Sequence, residues 1–277
     1  MDMSSITIIK GLLLFSYVLA AFSFLEFYVF RYRKKIGDNK ESMANFMIWI
    51  INRPVRYFIT SGVTLGTFLF IQKFALFSIP VNIWTVALTI VVADFMYYWS
   101  HRVSHVIRGL WTYHSVHHSS PEFNLSTAIR LPFYGAFTNA LFYLPMILLG
   151  FDPITVLASK IVGLLYQYWV HTEHIPKLGW FDTVFNSPSN HRVHHGRNRQ
   201  YIDKNFGGIF IVWDQMFGSY QAEEEKVVYG IYPAINTSNP LKISFYELIH
   251  LVKDVVRVDS WKNKVLFLVR GPGWSPK

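Results

Sequence analysis

Five long apolar runs, joined in two places by very short connections, constrain the fold of this chain more than any other feature. Each is long enough for a helix crossing a hydrocarbon core of about 30 Å, because an α-helix rises about 1.5 Å per residue. Mean hydropathy is positive, at +0.25, and only 16% of residues are charged, which is unusual for a soluble protein. We therefore predict an all-α integral membrane protein whose five helices span residues 6–30, 55–79, 81–99, 131–149 and 153–170.

The two short connections predict how these helices are paired. The second and third runs are separated by Ile79 and Pro80, and the fourth and fifth by Gly150–Pro153. Proline interrupts a helix, so both connections are predicted to be tight turns. The fold would then be two membrane hairpins plus an N-terminal span, with both turns on one side of the bilayer and the long connections on the other.

The distribution of basic residues predicts the orientation. Of the 26 Lys and Arg residues, all but Lys10, Lys73 and Lys160 lie in 31–56, 101–130 or 171–277. Cytoplasmic loops are enriched in Lys and Arg, so the N-terminus is expected outside and these segments in the cytoplasm, in a bacterial inner membrane or the endoplasmic reticulum. The net charge of +9 is expected to interact with anionic lipid headgroups rather than with nucleic acid, since the sequence contains no recognisable nucleic-acid-binding motif.

Histidines are concentrated in these cytoplasmic segments. Ten of the 11 lie between His101 and His195, in groups spaced by three and four residues that would share a helix face. His101 and His105 are expected to lie on a helical extension of the third span, and His171 is expected to follow the fifth span directly. Ser187 and Pro188 are predicted to begin a short helix, and Ser120 and Pro121 another. The four groups are His101 and His105; His114, His117 and His118; His171 and His174; and His191, His194 and His195.

So many imidazoles brought together predict a metal centre. Without metal, buried ring nitrogens would compete for hydrogen-bond partners, or several cations would repel one another. Ten ligands suit two ions, held by segments 100–130 and 171–277 of a cytoplasmic helical cap. Imidazole alone leaves zinc, copper, iron and nickel open. Asp94 and Gln167, on the helices before His101 and His171, are candidates for orienting the ligands. A metal transporter or sensor, a haem protein and a zinc hydrolase are the alternatives.

The histidine motifs also carry a family resemblance. The stretches "HRVSH", "HSVHH" and "HRVHHGRN" resemble the histidine boxes of the fatty acid hydroxylase and sterol desaturase superfamily, whose members are integral-membrane di-iron enzymes. The resemblance covers Asp94 to Tyr220, in order and with similar flanks such as "HHSSPEFNLSTA". The runs "IVWDQMFGSYQAEEEKVVYG" and "GPGWSP" look most like the alkylglycerol monooxygenase-like branch.

The resemblance implies a single domain over residues 1–277 that hydroxylates or desaturates a fatty acyl, sterol or alkyl-ether lipid. It implies two iron ions, molecular oxygen and an external electron donor, either a ferredoxin, a cytochrome or a reduced pterin. Val106 stands where this branch has an acidic residue, which argues against an ether lipid and a pterin. The implied metal ligands are nine of the ten grouped histidines, with His171 as the family's separate histidine; His174 is predicted as a tenth from its spacing alone, since this branch often has an apolar residue there. Further implied site residues are Asn124, Asn190, Arg197 and Asn198.

The implied partners are a membrane lipid and the electron donor. No nucleotide-binding fingerprint or fused haem domain is recognisable, so electrons are expected to come from another molecule. The basic cytoplasmic surface is expected to dock an acidic ferredoxin or cytochrome. The sequence predicts no nucleic-acid partner and does not determine the oligomeric state. The absence of cysteine excludes disulfides and thiolate ligation.

Overall fold

The computed structural model describes residues 14, 17–19, 21–29 and 39–276. This part of the chain is helical and contains no β-strand, only the isolated bridges Phe185–Phe210 and Gly196–Tyr229. The all-α prediction is confirmed for these residues. From residue 39 onward the α-helices are α1 Asn39–Phe58, α2 Leu65–Gln72, α3 Ile83–Val106, α4 Arg108–His118, α5 Leu125–Ala128, α6 Gly135–Leu141, α7 Leu144–Leu148, α8 Pro153–Trp169, α9 Phe181–Val184, α10 Pro188–His194, α11 Val212–Met216, α12 Pro240–Arg257 and α13 Trp261–Val269.

The two predicted turns lie side by side at one end of the helix bundle. The Leu76 amide donates to the Leu148 carbonyl at 2.8 Å, and the Ile79 amide donates to the Gly150 carbonyl at 3.1 Å. Gly150 has a φ of +98°, and a Cβ there would come within 2.1 Å of the Phe77 carbonyl oxygen. Only glycine therefore permits this approach of the two turns.

Side-chain caps begin the long helix after each turn. The Asn82 side chain accepts hydrogen bonds from the first turn of α3, and Asp152 accepts one from the Thr155 amide at the start of α8. Such caps satisfy amides that have no partner inside the helix. Helices α3 and α8 then pack along each other away from the turns.

The predicted membrane spans are recovered unevenly. Among the described residues, only α3, with 24 residues, is long and apolar enough to cross a membrane. Span 153–170 forms α8, which has 17 residues. Span 55–79 is divided between the end of α1, a π-helical segment Ile59–Thr64 and α2. About half of span 6–30 and all of the basic stretch 31–35 lie outside the described residues. The five-span arrangement therefore stays a prediction.

The fourth predicted span is not one continuous helix. Residues 131–149 form α6 and α7, which are separated near Tyr143. Pro145 sits in the first turn of α7, where its missing amide hydrogen costs nothing, whereas inside a continuous helix it would remove a hydrogen bond. The break lies beside the core cluster in which Phe68, Ala93, Met146 and Val156 are buried.

The helices that carry the histidines meet at the end of the bundle opposite the turns. Helix α4 packs against α3, and α12 and α13 pack against α4. The prediction that Ser120 and Pro121 begin a helix is wrong. The next helix is α5, because Asn124 and Thr127 cap its start reciprocally through side chain and backbone.

Candidate metal centre

Nine of the ten predicted histidines form two adjacent groups of buried rings. In each group, one ring nitrogen from every member lies within 4.8 Å of those from the others. The groups touch, since the His118 and His195 rings stack with centroids 4.3 Å apart. The predicted convergence of the imidazoles is confirmed. The first group is His101, His105, His114, His118 and His194, and the second is His117, His171, His191 and His195.

Helical spacing decides which group each histidine joins. On α4, His114 and His118 are four residues apart and share the first group, whereas His117 points into the second. On α10 the arrangement is reversed: His191 and His195 share the second group, and His194 joins the first. Residues four apart lie on one helix face, so one motif of the form His-x-x-His-His serves both groups in each case.

The ring nitrogens within each group face one another at close range. In the first group, His114 Nε2 lies 2.9 Å from His101 Nε2 and 3.0 Å from His118 Nε2. In the second, His171 Nε2 lies 3.2 Å from His117 Nε2 and 3.0 Å from His191 Nε2. Each contact can hold at most one proton between its two nitrogens.

Backbone carbonyls on the outer side of the rings fix their tautomers. The Nδ1 atoms of His101, His171 and His194 lie 2.8, 2.7 and 2.9 Å from the carbonyl oxygens of Phe206, Gln167 and Lys204. A carbonyl only accepts, so these rings donate from Nδ1 and present an unprotonated Nε2 lone pair to the interior. Such a second partner is usual for histidines that bind metal.

Burial keeps the rings neutral. It lowers the pKa of His171 to about 4, and neighbouring backbone hydrogen bonds offset only part of that effect. The pKa values of His114, His117, His118, His191, His194 and His195 also lie well below the ordinary value, first because of burial and then because of neighbouring histidines. Neutral rings are the form that binds metal.

Several of these buried nitrogens have no hydrogen-bond partner among the residues that the structure describes. They are the Nε2 atoms of His105, His194 and His195 and the Nδ1 atom of His117. A buried acceptor without a partner costs about 1–3 kcal/mol, and a cation between the rings would satisfy several at once. The residues therefore fit a pair of metal ions with nitrogen ligands, a donor set shared by iron, zinc, copper and nickel.

A loop at residues 203–210 closes one side of the centre and is held by two buried carboxylates. Asp94 accepts hydrogen bonds from the amides of Ile209 and Phe210 and from Trp213 Nε1, at 2.7, 3.0 and 2.9 Å. Asp214 accepts from the amides of Phe206 and Gly207, at 2.8 and 2.7 Å. Asp94 thus acts on the centre through the loop whose Phe206 carbonyl binds His101, and contacts no histidine directly.

Two arginines fix the helices that carry histidines. Buried Arg130 donates to the Val116 carbonyl on α4 at 2.8 Å and pairs with Glu41 on α1. Arg192 on α10 donates to both oxygens of Glu223, at 2.8 and 2.7 Å, and to the Thr172 carbonyl beside His171 at 3.1 Å. Bidentate pairs of this kind are geometrically specific, so they set where the rings lie.

His174 is the predicted ligand that the structure leaves outside both groups. It is exposed, whereas His171 is buried. The prediction extended a helical spacing of three beyond the end of α8, but the helix ends at Trp169. Residues 171 and 174 therefore do not share a helix face.

The other predicted site residues have structural contacts, and only one of them touches a histidine. Gln167 does so through its carbonyl, while its side chain donates to the Gly163 carbonyl at 3.0 Å. Asn124 caps α5, and Asn190 donates to the Asp182 carbonyl at 2.9 Å. Arg197 and Asn198 lie beyond α10, where Arg197 is exposed and Asn198 receives the Val228 amide at 2.8 Å.

Sequence reasoning missed the residues that hold the rings from outside. Asp203 lies 3.4 Å from His105 Nδ1, and the carbonyls of Lys204 and Phe206 carry no side-chain signature. One signal was available in the segment "DKNFGG". Asp203 and Asn205 have positive φ values of 57° and 56°, and Asp, Asn and Gly are the residues that tolerate this conformation. The segment therefore indicates a tightly bent loop.

A cavity of about 240 Å³ opens onto the two groups. His114, His117 and His171 form one end of its lining. Tyr113 and Asn139 form a polar strip, with the Tyr113 hydroxyl donating to Asn139 Oδ1 at 2.7 Å. Most of the remaining wall is apolar: Leu19, Ile129, Leu131, Ala136, Ile161, Leu164 and Leu165. The cavity suits a molecule with a hydrocarbon part.

Comparison with known proteins gives a consistent picture. The family model for fatty acid hydroxylase matches residues 85–219. The alkylglycerol monooxygenase of Homo sapiens is 39% identical over 246 residues, covering 88% of this chain and 55% of that protein. That of Danio rerio is 43% identical over 194 residues, covering 70% and 43%.

A more distant similarity is to an ornithine lipid hydroxylase of Rhizobium tropici. It is 31% identical over 141 residues, covering 49% of this chain and 41% of that protein. The chain spans about half the length of the alkylglycerol monooxygenases that it matches. No solved structure matches it significantly.

Proposed function

The chain belongs to the fatty acid hydroxylase family through residues 85–219, and from this premise we propose that it is an oxygen-dependent lipid hydroxylase with two iron ions. The observation that carries the proposal is the pair of touching, buried imidazole groups at the end of a largely apolar cavity. One ion would be held by the five-histidine group and the other by the four-histidine group. The relatives' names support a lipid substrate, either a fatty acyl, an alkyl-ether or a sterol lipid.

When bound, the iron pair would supply the activation of molecular oxygen needed to oxidise an unactivated C–H bond. The chain's own residues would orient the imidazole rings, position the lipid and exclude water. Carbonyl groups hold His101, His171 and His194 with their Nε2 lone pairs turned inward. The apolar walls bring the hydrocarbon part of a lipid to this end of the cavity and exclude water from it.

The setting we propose is a multi-pass membrane protein. Its N-terminus would lie outside, the histidine centre would lie at the cytoplasmic face, and residues 1–277 would act as one domain. Helix α3 supports this placement, because it is apolar, long enough to span a bilayer, and carries His101 and His105 at the end away from the turns. A lipid would then enter from the inner leaflet.

Electrons would come from an external donor, a ferredoxin, a cytochrome or a reduced pterin. The net charge of +9 favours an acidic protein donor. Turnover with such a donor should fall as salt concentration rises, because screening weakens attraction between exposed charges. Turnover that is unchanged by salt would contradict docking of this kind.

The test compares His194→Ala with the matched variant His174→Ala. Both remove one imidazole, but His194 belongs to the first group and His174 is exposed outside both. Iron content of the purified proteins and the lipids of cells expressing them are measured. We expect iron and an oxidised lipid with the wild type and His174→Ala, and loss of both with His194→Ala.

The outcomes separate the proposal from its main alternative. Equal lipid profiles for the wild type and His194→Ala would reject the hydroxylase. If the lipids stay unchanged while cellular metal content depends on His194, metal transport or sensing is favoured instead. Iron replaced by stoichiometric zinc in active protein would reject the di-iron assignment.

A further inference from the structure

The cavity wall carries positive charge as well as apolar side chains. Arg53, Arg56 and Lys160 all line it. Arg56 is an electrostatic neighbour of both Arg53 and Lys160. Cations grouped in a cavity that is otherwise largely apolar are costly, because each loses hydration and repels the others.

Within the described part of the chain, Lys160 lacks a carboxylate partner. No described carboxylate lies within 4.0 Å of its ammonium group, and its recorded contact is with the Tyr143 ring, 5.3 Å from the centroid. Arg56 is similar: it donates to the Pro132 carbonyl at 3.2 Å and forms no ion pair within the described residues. Both cations are partly buried.

Helix α8 connects this positive region to the histidines. Lys160, Leu164 and Gln167 recur every three or four residues and all line the cavity, so they follow one face of α8, and His171 lines the cavity just beyond the C-terminal end of the helix. From Lys160 to the end of α8 at Trp169 the helix extends about 14 Å along its axis, and His171 follows two residues later. Leu164 and Leu165 provide an apolar surface between the two ends.

We propose that the cavity accepts a lipid with an anionic group, a carboxylate or a phosphate, that binds between Lys160 and Arg56. The hydrocarbon chain then lies along Leu164 and Leu165 toward His171, so the carbon that is oxidised is distant from the charged group. This inference rests on the proposed lipid hydroxylase and narrows its substrate class. Sterols and uncharged alkylglycerols lack the group that would compensate these cations.

The test measures binding rather than turnover. The protein is placed in nanodiscs of zwitterionic lipid and allowed to bind tritiated palmitate. The bound probe is then displaced with unlabelled palmitate or with hexadecanol, two competitors of equal chain length that differ only in the head group. A second pair, a monoacylglycerol phosphate and the corresponding monoacylglycerol, separates phosphate from carboxylate recognition. Each displacement is repeated with Lys160→Met, Lys160→Arg and Lys73→Met. Lys73 is the matched control, because it also lies near an aromatic ring, that of Phe70, but outside the cavity.

We expect the wild type to prefer the anionic member of at least one pair by about tenfold or more, equivalent to about 1.4 kcal/mol. Lys160→Met should lose most of that preference, whereas Lys160→Arg and Lys73→Met should keep it. Equal binding of charged and uncharged lipids by the wild type would overturn the proposal, and so would an unchanged preference in Lys160→Met. Iron content and lipid oxidation are scored separately, so failure of the hydroxylase assignment is distinguishable from failure of this inference.

Discussion

Replacing Asp94 by asparagine should weaken metal binding although Asp94 touches no histidine. One carboxylate oxygen receives the Ile209 amide and the other receives the Phe210 amide and Trp213 Nε1. An asparagine side chain has one acceptor oxygen, so its best orientation keeps the latter two bonds. Its amide group then opposes the Ile209 amide, donor against donor.

The loss can be estimated from these contacts. A hydrogen bond to a charged group contributes about 1.5–3 kcal/mol, and the remaining two bonds lose their charge assistance. Asp94→Asn should therefore destabilise the loop by about 3 kcal/mol. The loop carries the Phe206 carbonyl that orients His101, and loss of such an outer partner typically lowers metal affinity by about 10–100-fold.

The assay is titration of metal-free protein with ferrous ion, together with chemical unfolding. Asp152→Ala is the control: it removes the cap of α8 beside the turns and should cost about 1 kcal/mol. Its metal affinity should match the wild type. If Asp94→Asn binds metal as tightly as Asp152→Ala, the loop does not transmit the effect of Asp94 to His101, and the reasoning is wrong.

Three further predictions concern the same end of the molecule. Gly208→Ala should destabilise the protein by about 1–3 kcal/mol, because its Cβ would lie 2.5 Å from Asp94 Oδ1; unfolding with wild-type stability would show that the loop can yield. Removing metal with a chelator should lower the melting temperature of the wild type and of His174→Ala alike, since a ligand bound only to the folded state stabilises it; a chelator-insensitive melting temperature would argue against a folded-state metal site. Burial raises the pKa of Glu223, but hydrogen bonds and charge from Arg192 outweigh this and hold it below its ordinary value of 4.5. The ion pair therefore stabilises the fold above that pH and is lost on acidification, so Glu223→Gln should be less stable than the wild type at pH 7, and the difference should shrink as the pH falls below 4.5; a difference independent of pH would contradict this.

The sequence predicted the site better than the membrane architecture. Spacings of three and four predicted the convergence of eight histidines, because α3, α4 and α10 with its C-cap residue His195 have regular geometry that fixes side-chain direction; His171, the ninth, follows the end of α8. Ser187 and Pro188 begin α10 as predicted, with the Ser187 side chain receiving the Asn190 amide. The prediction for His174 failed because periodicity has no meaning once a helix has ended.

Apolar composition was a weaker guide to helix boundaries. An apolar run indicates that a segment avoids water, but it does not indicate where a helix begins or ends. A helix boundary depends on particular residues such as Pro145, which lies in the first turn of α7 inside the predicted fourth span. Contacts distant in sequence were not predictable in the same way. The Asp94 bonds to the loop and the Phe206 carbonyl beside His101 join segments more than a hundred residues apart, and no local pattern records such pairing.

Helices α4 and α10 each contribute imidazoles to both histidine groups, so the geometry of one group depends on that of the other. A shift or a rotation of either helix disturbs both halves of the centre at the same moment. Losing one histidine group while keeping the other would require rebuilding two helices at once, so a substitution that moves either helix acts on both groups.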